Sequence, residues 1–291
     1  MSQAETWTIG RLLQWTTDFL KRHGSDSPRL DAEVLLAEAL GCPRILLYTR
    51  FEEVPKDDVR TAFRDLVRRR SEGTPVAYLV GRREFFSLPF RVTPDVLIPR
   101  PETEFILLAL FDLAKARPSS EPLTICDIGT GSGVLAVAAA KHLPQAAVVA
   151  IDRSAPALTV ARENAAALGV AERIEFFESD LFAAVPQRTF DFVISNPPYV
   201  TEAEFAELSP DVRNYEPRGA LVSGPLGTEV IARLIPQATE RLRPGGSLLI
   251  EISPMIHEAV LALLAAEDRL VPGETVRDYS RQARVVQAQR K

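Results

Sequence analysis

Apolar positions recur at helical spacing through roughly the first seventy residues, and short apolar runs alternating with amphipathic stretches then take over. Ile9, Leu12, Leu13, Phe19 and Leu20 predict a helix over 8–23, with Gly24 placed to end it. Leu30, Val34, Leu35 and Ala39 predict a second over 28–40, closed by Gly41, and a short element follows over 44–48. Val59, Phe63, Leu66 and Val67 form the inward stripe of a helix over 57–70. These elements predict a small helical bundle as a first domain, residues 1–73.

After Gly73 the residues Pro75, Gly81, Pro89, Pro94, Pro99 and Pro101 punctuate an aromatic and β-branched stretch, which predicts a β-hairpin within a linker, 74–100. A helix opens near Pro101, with prolines at its entrance and acids in its first turn. From Leu123 strands over 123–126, 147–151, 174–177, 190–194, 247–252 and 284–287 alternate with helices over 134–143, 155–168, 228–241 and 256–266. That alternation predicts an α/β domain, 101–291: an open, mostly parallel sheet with helices on both faces. A proline-containing excursion over 201–221 is expected to cover its cleft.

With 291 residues, 46% of them hydrophobic, the chain can build two cored domains. Its net charge of -5, from 34 basic and 39 acidic residues, carries no global commitment to nucleic acid, and no direct nucleic-acid binding is expected. The run Arg68-Arg69-Arg70, with Arg64 a turn earlier, reads first as a solvated helix face, with a phosphate backbone or acidic protein as the alternative. Cys42 and Cys126 cannot make a disulfide framework, and with three histidines no metal site is expected. The start of the chain lacks a signal-peptide pattern and no apolar run reaches membrane-spanning length, so a cytoplasmic monomer without a membrane partner is expected.

The candidate chemistry centres on Asn196-Pro197-Pro198-Tyr199, which follows the apolar run Phe192-Val193-Ile194. The prolines fix their own φ, so a buried strand would deliver the Asn196 amide and nearby carbonyls in a nearly invariant shape. Such a loop suits a planar N–H2 group, whereas an isolated Pro-Pro would be a strand stop. The first strand of the sheet runs into Asp127-Ile128-Gly129-Thr130-Gly131-Ser132-Gly133 and then a helix, a turn that lets a ligand approach backbone N–H groups. A dinucleotide fingerprint would need Gly at 134, where Val134 stands, which argues against nicotinamide or flavin chemistry. Asp152, ending the next strand, can accept from two ribose hydroxyls, while Asp180 and Leu181 can offer an adenine an acceptor and an apolar wall. Each acid alone could equally be a helix cap. Arg100 and Glu102 lie beside the expected cleft.

With Gly81-Arg82-Arg83-Glu84-Phe85, Leu97-Ile98-Pro99-Arg100-Pro101-Glu102-Thr103-Glu104 and Asp211-Val212-Arg213-Asn214-Tyr215-Glu216-Pro217 added to these motifs, the sequence resembles the class I S-adenosylmethionine-dependent methyltransferases. Within them it is similar, over nearly its whole length, to the bacterial peptide chain release factor glutamine N5-methyltransferases. One departure is local: this family usually has Gly soon after the acid ending its fifth strand, whereas Glu251-Ile252 is followed by Ser253.

The resemblance implies a seven-stranded sheet, a substrate-recognising helical domain, and S-adenosylmethionine held by Asp127, Gly129, Thr130, Gly131, Ser132, Gly133, Asp152, Asp180, Leu181 and Asn196. It implies class 1 release factors as partners and the glutamine of their Gly-Gly-Gln loop as substrate. That glutamine would be held by Asn196, Pro197, Pro198 and Tyr199, with Arg100 and Glu102 beside it; Asn196, Pro197 and Tyr199 would act on its amide. Three alternatives stay open: glutamine methylation of a ribosomal protein, adenine N6 methylation, opposed by the net acidity, and a catalytically silent S-adenosylmethionine-binding module.

Overall fold

The computed structural model describes residues 6–117, 122–185 and 187–291, which divide into two compact units. The first runs to Gly81 and also takes in Pro210–Tyr215. Its helices are α1 (Ile9–Arg22), α2 (Pro28–Leu40), α3 (Leu46–Thr49), α4 (Asp57–Ser71) and α5 (Val76–Val80). The Thr8 hydroxyl caps α1 by accepting from the Arg11 N–H at 3.3 Å, and α2 starts on a proline and ends at left-handed Gly41. Leu13, Leu20, Leu35, Leu36, Leu47 and Phe63 form the core.

Two carboxylates of α2 are buried and partnered. Asp31 meets Arg70 at 2.8 Å, tying α2 to α4, and Glu33 takes Arg29, Arg44 and the Tyr48 hydroxyl. Arg68 pairs with Asp65 and Glu72. The arginine run is therefore not a plain solvated face: Arg70 is an internal tie. The five-residue helix α5 stands where the sequence predicted only linker, and this unit extends past residue 73 to include it. Within the unit the Tyr215 hydroxyl donates to the Glu72 carbonyl at 3.0 Å.

The second unit opens with the expected hairpin, β1 (Arg82–Phe85) and β2 (Leu88–Arg91), paired antiparallel. Its two-residue turn is Phe86-Ser87, both left-handed, the conformation that suits the twist of a tight hairpin. A 3₁₀ turn (Pro101–Thr103) leads into α6 (Glu104–Lys115). There follow β3 (Leu123–Ile128), α7 (Val134–His142), β4 (Ala146–Asp152), α8 (Ala155–Ala167), β5 (Ile174–Glu178) and β6 (Phe190–Ser195). The excursion holds β7 (Val200–Thr201), α9 (Glu202–Glu207), α10 (Pro210–Tyr215, which belongs to the first unit), α11 (Arg218–Leu221) and β8 (Val222–Gly224). The chain ends through α12 (Glu229–Arg241), β9 (Leu242–Glu251), α13 (His257–Ala265), β10 (Leu270–Pro272), β11 (Val276–Arg277) and β12 (Ala283–Arg290).

The sheet order is β10-β12-β9-β6-β3-β4-β5. These seven strands match the expected number, and β11 adds a two-residue eighth along β12. Strands β5, β4, β3, β6 and β9 are mutually parallel, and β12 returns antiparallel to β9. Every residue of β6 is buried, as a strand covered on both faces requires. Alternate residues serve opposite cores. Ile125, Val148 and Phe192 pack with the hairpin, α6 and α7, whereas Cys126, Val149 and Val193 pack with α12 and α13. Pro244-Gly245-Gly246, a sequence with the composition of a turn, lies inside β9, which shifts register against β6 there.

Near the start of β6, Asp191 accepts from the Thr124 N–H (2.9 Å) and hydroxyl (2.8 Å), from Arg117 (2.6 Å) and from Arg243 (2.9 Å). Burial pushes its pKa up, but those donors outweigh burial and hold the carboxyl below its ordinary range.

Candidate active site

The sheet reverses its winding between β3 and β6, and a crevice at the carboxyl ends of strands flanking such a point is where ligands settle in open α/β sheets. A cavity of about 350 Å³ opens there. Its walls are residues 129–132, Asp152, Asp180 and Leu181, Asn196-Pro197-Pro198, residues 95–97, 99, 100 and 103, and part of 217–220.

The glycine turn is built by backbone bonds: the N–H groups of Gly129 and Thr130 donate to the Ile151 carbonyl at 2.8 and 2.9 Å. Gly133 is left-handed at φ 84°, and a Cβ on it would sit 3.1 Å from the Ala161 Cβ, so glycine lets α7 start against α8. Asp127, fully buried behind the turn, accepts from the Thr130 hydroxyl (2.7 Å) and Ala136 N–H (3.1 Å) through Oδ2, while Oδ1 has no partner. Burial pushes its pKa up to about 7, against the pull of Thr130 and Ala136, with the charge of Asp152 adding to the rise. Asp152 is raised too, chiefly by burial, although it accepts from the Gly131 N–H at 2.8 Å and the Ser154 N–H at 2.9 Å.

Leu181, nearly buried, holds a left-handed conformation at φ 51°, an unusual backbone for a branched residue and one that the surrounding fold must enforce. Asp180 is paired with Arg233 at 2.5 Å, both groups more than half exposed. Arg100 lines the cavity, but its guanidinium donates to Glu216 Oε1 at 2.5 Å. Glu216 is buried and its Oε2 accepts from the Ile98 N–H at 3.1 Å, which ties the end of the excursion to the 97–100 wall.

Asn196 donates from Nδ2 to the Thr103 hydroxyl at 3.0 Å. Its amide is thereby oriented with Oδ1 as the remaining acceptor, on a loop whose next residue, Pro197, is buried. The Tyr199 hydroxyl donates to Glu251 Oε1 at 3.1 Å. Burial, then the Glu251 charge, holds the phenol well above its usual pKa, so Tyr199 stays protonated.

Of the residues singled out from sequence, Gly129 to Ser132, Asp152, Asp180, Leu181, Asn196, Pro197, Pro198 and Arg100 share the cavity. Asp127, Gly133 and Tyr199 stand behind its walls, and Glu102, half-exposed, is not among the lining residues. Thr103, Glu216, Arg233 and Glu251 were not singled out. A lone acid interrupting Leu248-Leu249-Ile250 and Ile252 was the signal available for Glu251.

Gly227, left-handed at φ 75°, sits under this loop, where a Cβ would lie 2.6 Å from the Tyr199 carbonyl oxygen. Gly227→Ala is expected to lower stability by about 2–4 kcal/mol, combining the left-handed penalty with a backbone clash. Urea denaturation measures it, and a loss below about 0.5 kcal/mol, the range of ordinary surface changes, would contradict this packing.

Residues 11–81 match the family described as the PrmC N-terminal domain, and residues 107–209 the methyltransferase small domain. A release factor glutamine methyltransferase of Rhodopirellula baltica is 55% identical over 252 residues, covering 86% of this chain and 85% of that one. The chain belongs to the release factor glutamine methyltransferase family. Another member, from Geobacter sulfurreducens, is 40% identical over 90% of this chain and 89% of its own. Among solved structures, the catalytic domain of hMettl16 superposes with a TM-score of 0.54 at 17% identity, covering 72% of this chain and 76% of that one, which speaks to the fold alone. The two matches in this release factor glutamine methyltransferase family member fall one in each compact unit, the second spanning the glycine turn, Asp152, Asp180 and Asn196 to Tyr199.

Proposed function

We propose that this chain transfers a methyl group from S-adenosylmethionine to the side-chain amide nitrogen of the glutamine in the Gly-Gly-Gln loop of class 1 peptide chain release factors. The observation that carries this reading is the Asn196 amide, pinned by Thr103 so that Oδ1 is its acceptor, in a chain 55% identical to a release factor glutamine methyltransferase.

The residues fit the cofactor. Asp152 keeps free lone pairs for two ribose hydroxyls after accepting from Gly131 and Ser154, and the unpartnered Asp127 Oδ1 suits the cationic amine end. Leu181 offers the adenine an apolar wall, with the remaining Asp180 oxygen as acceptor. When bound, S-adenosylmethionine supplies an electrophilic methyl group on a sulfonium centre.

Positioning is the main task of the protein, because an amide lone pair is delocalised into its carbonyl. Asn196 Oδ1 and the Pro197 carbonyl each accept one N–H of the glutamine, directing the nitrogen lone pair toward the methyl group and stabilising positive charge that develops only in the transition state. Tyr199 packs beside the amide plane as a neutral phenol, unsuited to act as a base. The nitrogen's proton becomes acidic as the bond forms and passes to water. The helical unit contributes recognition of the folded factor.

Radiolabelled methyl transfer to whole release factor, to a peptide carrying its Gly-Gly-Gln loop, to ribosomal protein and to nucleic acid tests this reading. Whole factor should label best and the peptide less well. Labelling of ribosomal protein or nucleic acid, with none on release factor, would overturn it.

A further inference from the structure

Glu251 ends β9, is 1% exposed, and lies behind the cavity rather than in its lining. Buried carboxylates are costly unless donors satisfy them, and this one is only partly satisfied: Tyr199 donates to Oε1 at 3.1 Å, while Oε2 has no donor at hydrogen-bond geometry. The Thr103 hydroxyl is near enough to favour its ionised form. Thr103 is itself buried and is the residue on which Asn196 Nδ2 rests at 3.0 Å. One acid thus stands behind both residues assigned to the substrate amide.

We propose that Glu251 is a positioning residue for methyl transfer, its carboxylate orienting Tyr199 directly and Asn196 through Thr103. The inference rests on the proposed function. A carboxylate can only accept, so the Tyr199 hydroxyl donates to it, and its negative charge favours a Thr103 hydroxyl whose hydrogen is turned the same way. With its hydrogen turned toward Glu251, Thr103 presents a lone pair to Asn196, which donates to it from Nδ2 and leaves Oδ1 for the substrate. A protonated carboxyl carries a donor of its own, can reverse one hydroxyl, and removes the reason for the amide to keep that face outward.

Burial pushes the Glu251 pKa up to about 7, opposed by Thr103 and Tyr199. The other charges facing it are Glu102 in the 3₁₀ turn, which adds to the rise, and Arg284 on β12, which opposes it. Since the ionised form is the orienting one, turnover at saturating cofactor increases as pH rises through neutrality and then levels. Saturation matters because Asp127 titrates in the same range behind the glycine turn.

The test is the kcat–pH profile of methyl transfer to release factor for the full chain, together with Glu251→Gln, Thr103→Val and Thr103→Ser, with cofactor affinity measured by calorimetry. Glu251→Gln should lower kcat about 100-fold, the scale of a misplaced reacting group, lose the rising limb, and bind cofactor as the wild type does. Thr103→Val should show a similar kcat loss, and Thr103→Ser, which keeps the hydroxyl, should restore it. If Glu251→Gln does not fold, the Thr103 pair carries the test. Wild-type protein that labels no release factor contradicts the proposed function. Wild-type protein that labels it, with Glu251→Gln keeping kcat and the limb or Thr103→Val matching Thr103→Ser, overturns the positioning role alone.

Discussion

Replacing Asn196 with Ala is expected to lower methyl transfer at saturating cofactor by about 100- to 1,000-fold, the cost of removing one preorganised group aimed at developing charge. S-adenosylmethionine affinity should change little. The loss should fall in kcat and in kcat/KM alike, since an interaction that strengthens only in the transition state does not report in ground-state binding. The physical reason proposed is the division of labour in the Asn196 amide: one Nδ2 N–H is spent on Thr103, which sets Oδ1 as the acceptor offered to the substrate. Single-turnover transfer and calorimetric titration of the cofactor separate the two effects. Equal losses in both would make Asn196 chiefly a cofactor ligand.

The second large effect is on stability. Asp191→Ala should cost about 3 kcal/mol, because it leaves Arg117, Arg243 and the Thr124 N–H without the acceptor they share. The lower end of the usual range applies, since Arg243 is 44% exposed and water can recover part of its solvation. The native carboxyl is held below its ordinary pKa, so its contribution is present above the unfolded value and is lost as pH falls through the depressed native value. Asp191→Asn should therefore flatten the acid limb of stability measured by urea denaturation. An Asp191→Ala loss below about 0.5 kcal/mol, or an unchanged acid limb in Asp191→Asn, would contradict this assignment.

The sheet was legible because its strands are buried on both faces and read as unbroken apolar runs, Phe192-Val193-Ile194 and Leu248-Leu249-Ile250 among them. Helix α5 was not, since Val76-Ala77-Tyr78-Leu79-Val80 has the composition of a strand; Pro75 at its start and left-handed Gly81 at its end bound a single helical turn instead. The short strands β10 and β11 exist through pairing with β12 and carry no periodicity of their own. In the site, the glycine turn and Asn196 to Tyr199 announce themselves by composition. Thr103 does not, and Glu251 shows only as a lone acid in an apolar run; the fold alone brings them behind the loop. Arg100 and Glu102, two positions apart in sequence, separate in the structure: one lines the cavity and pairs with Glu216, whereas the other stays out of the lining. Glu216 was quoted within a motif, yet its role as a buried tie needs a contact 116 residues away.

The most direct measurement is mass spectrometry of the release factor peptide containing Gly-Gly-Gln after incubation with this protein and S-adenosylmethionine. A peptide heavier by one methyl group, with fragmentation placing it on the glutamine side-chain amide and no modification when that glutamine is replaced, is the expected result. An unmodified glutamine, or a methyl group elsewhere on the factor, would contradict the proposed chemistry.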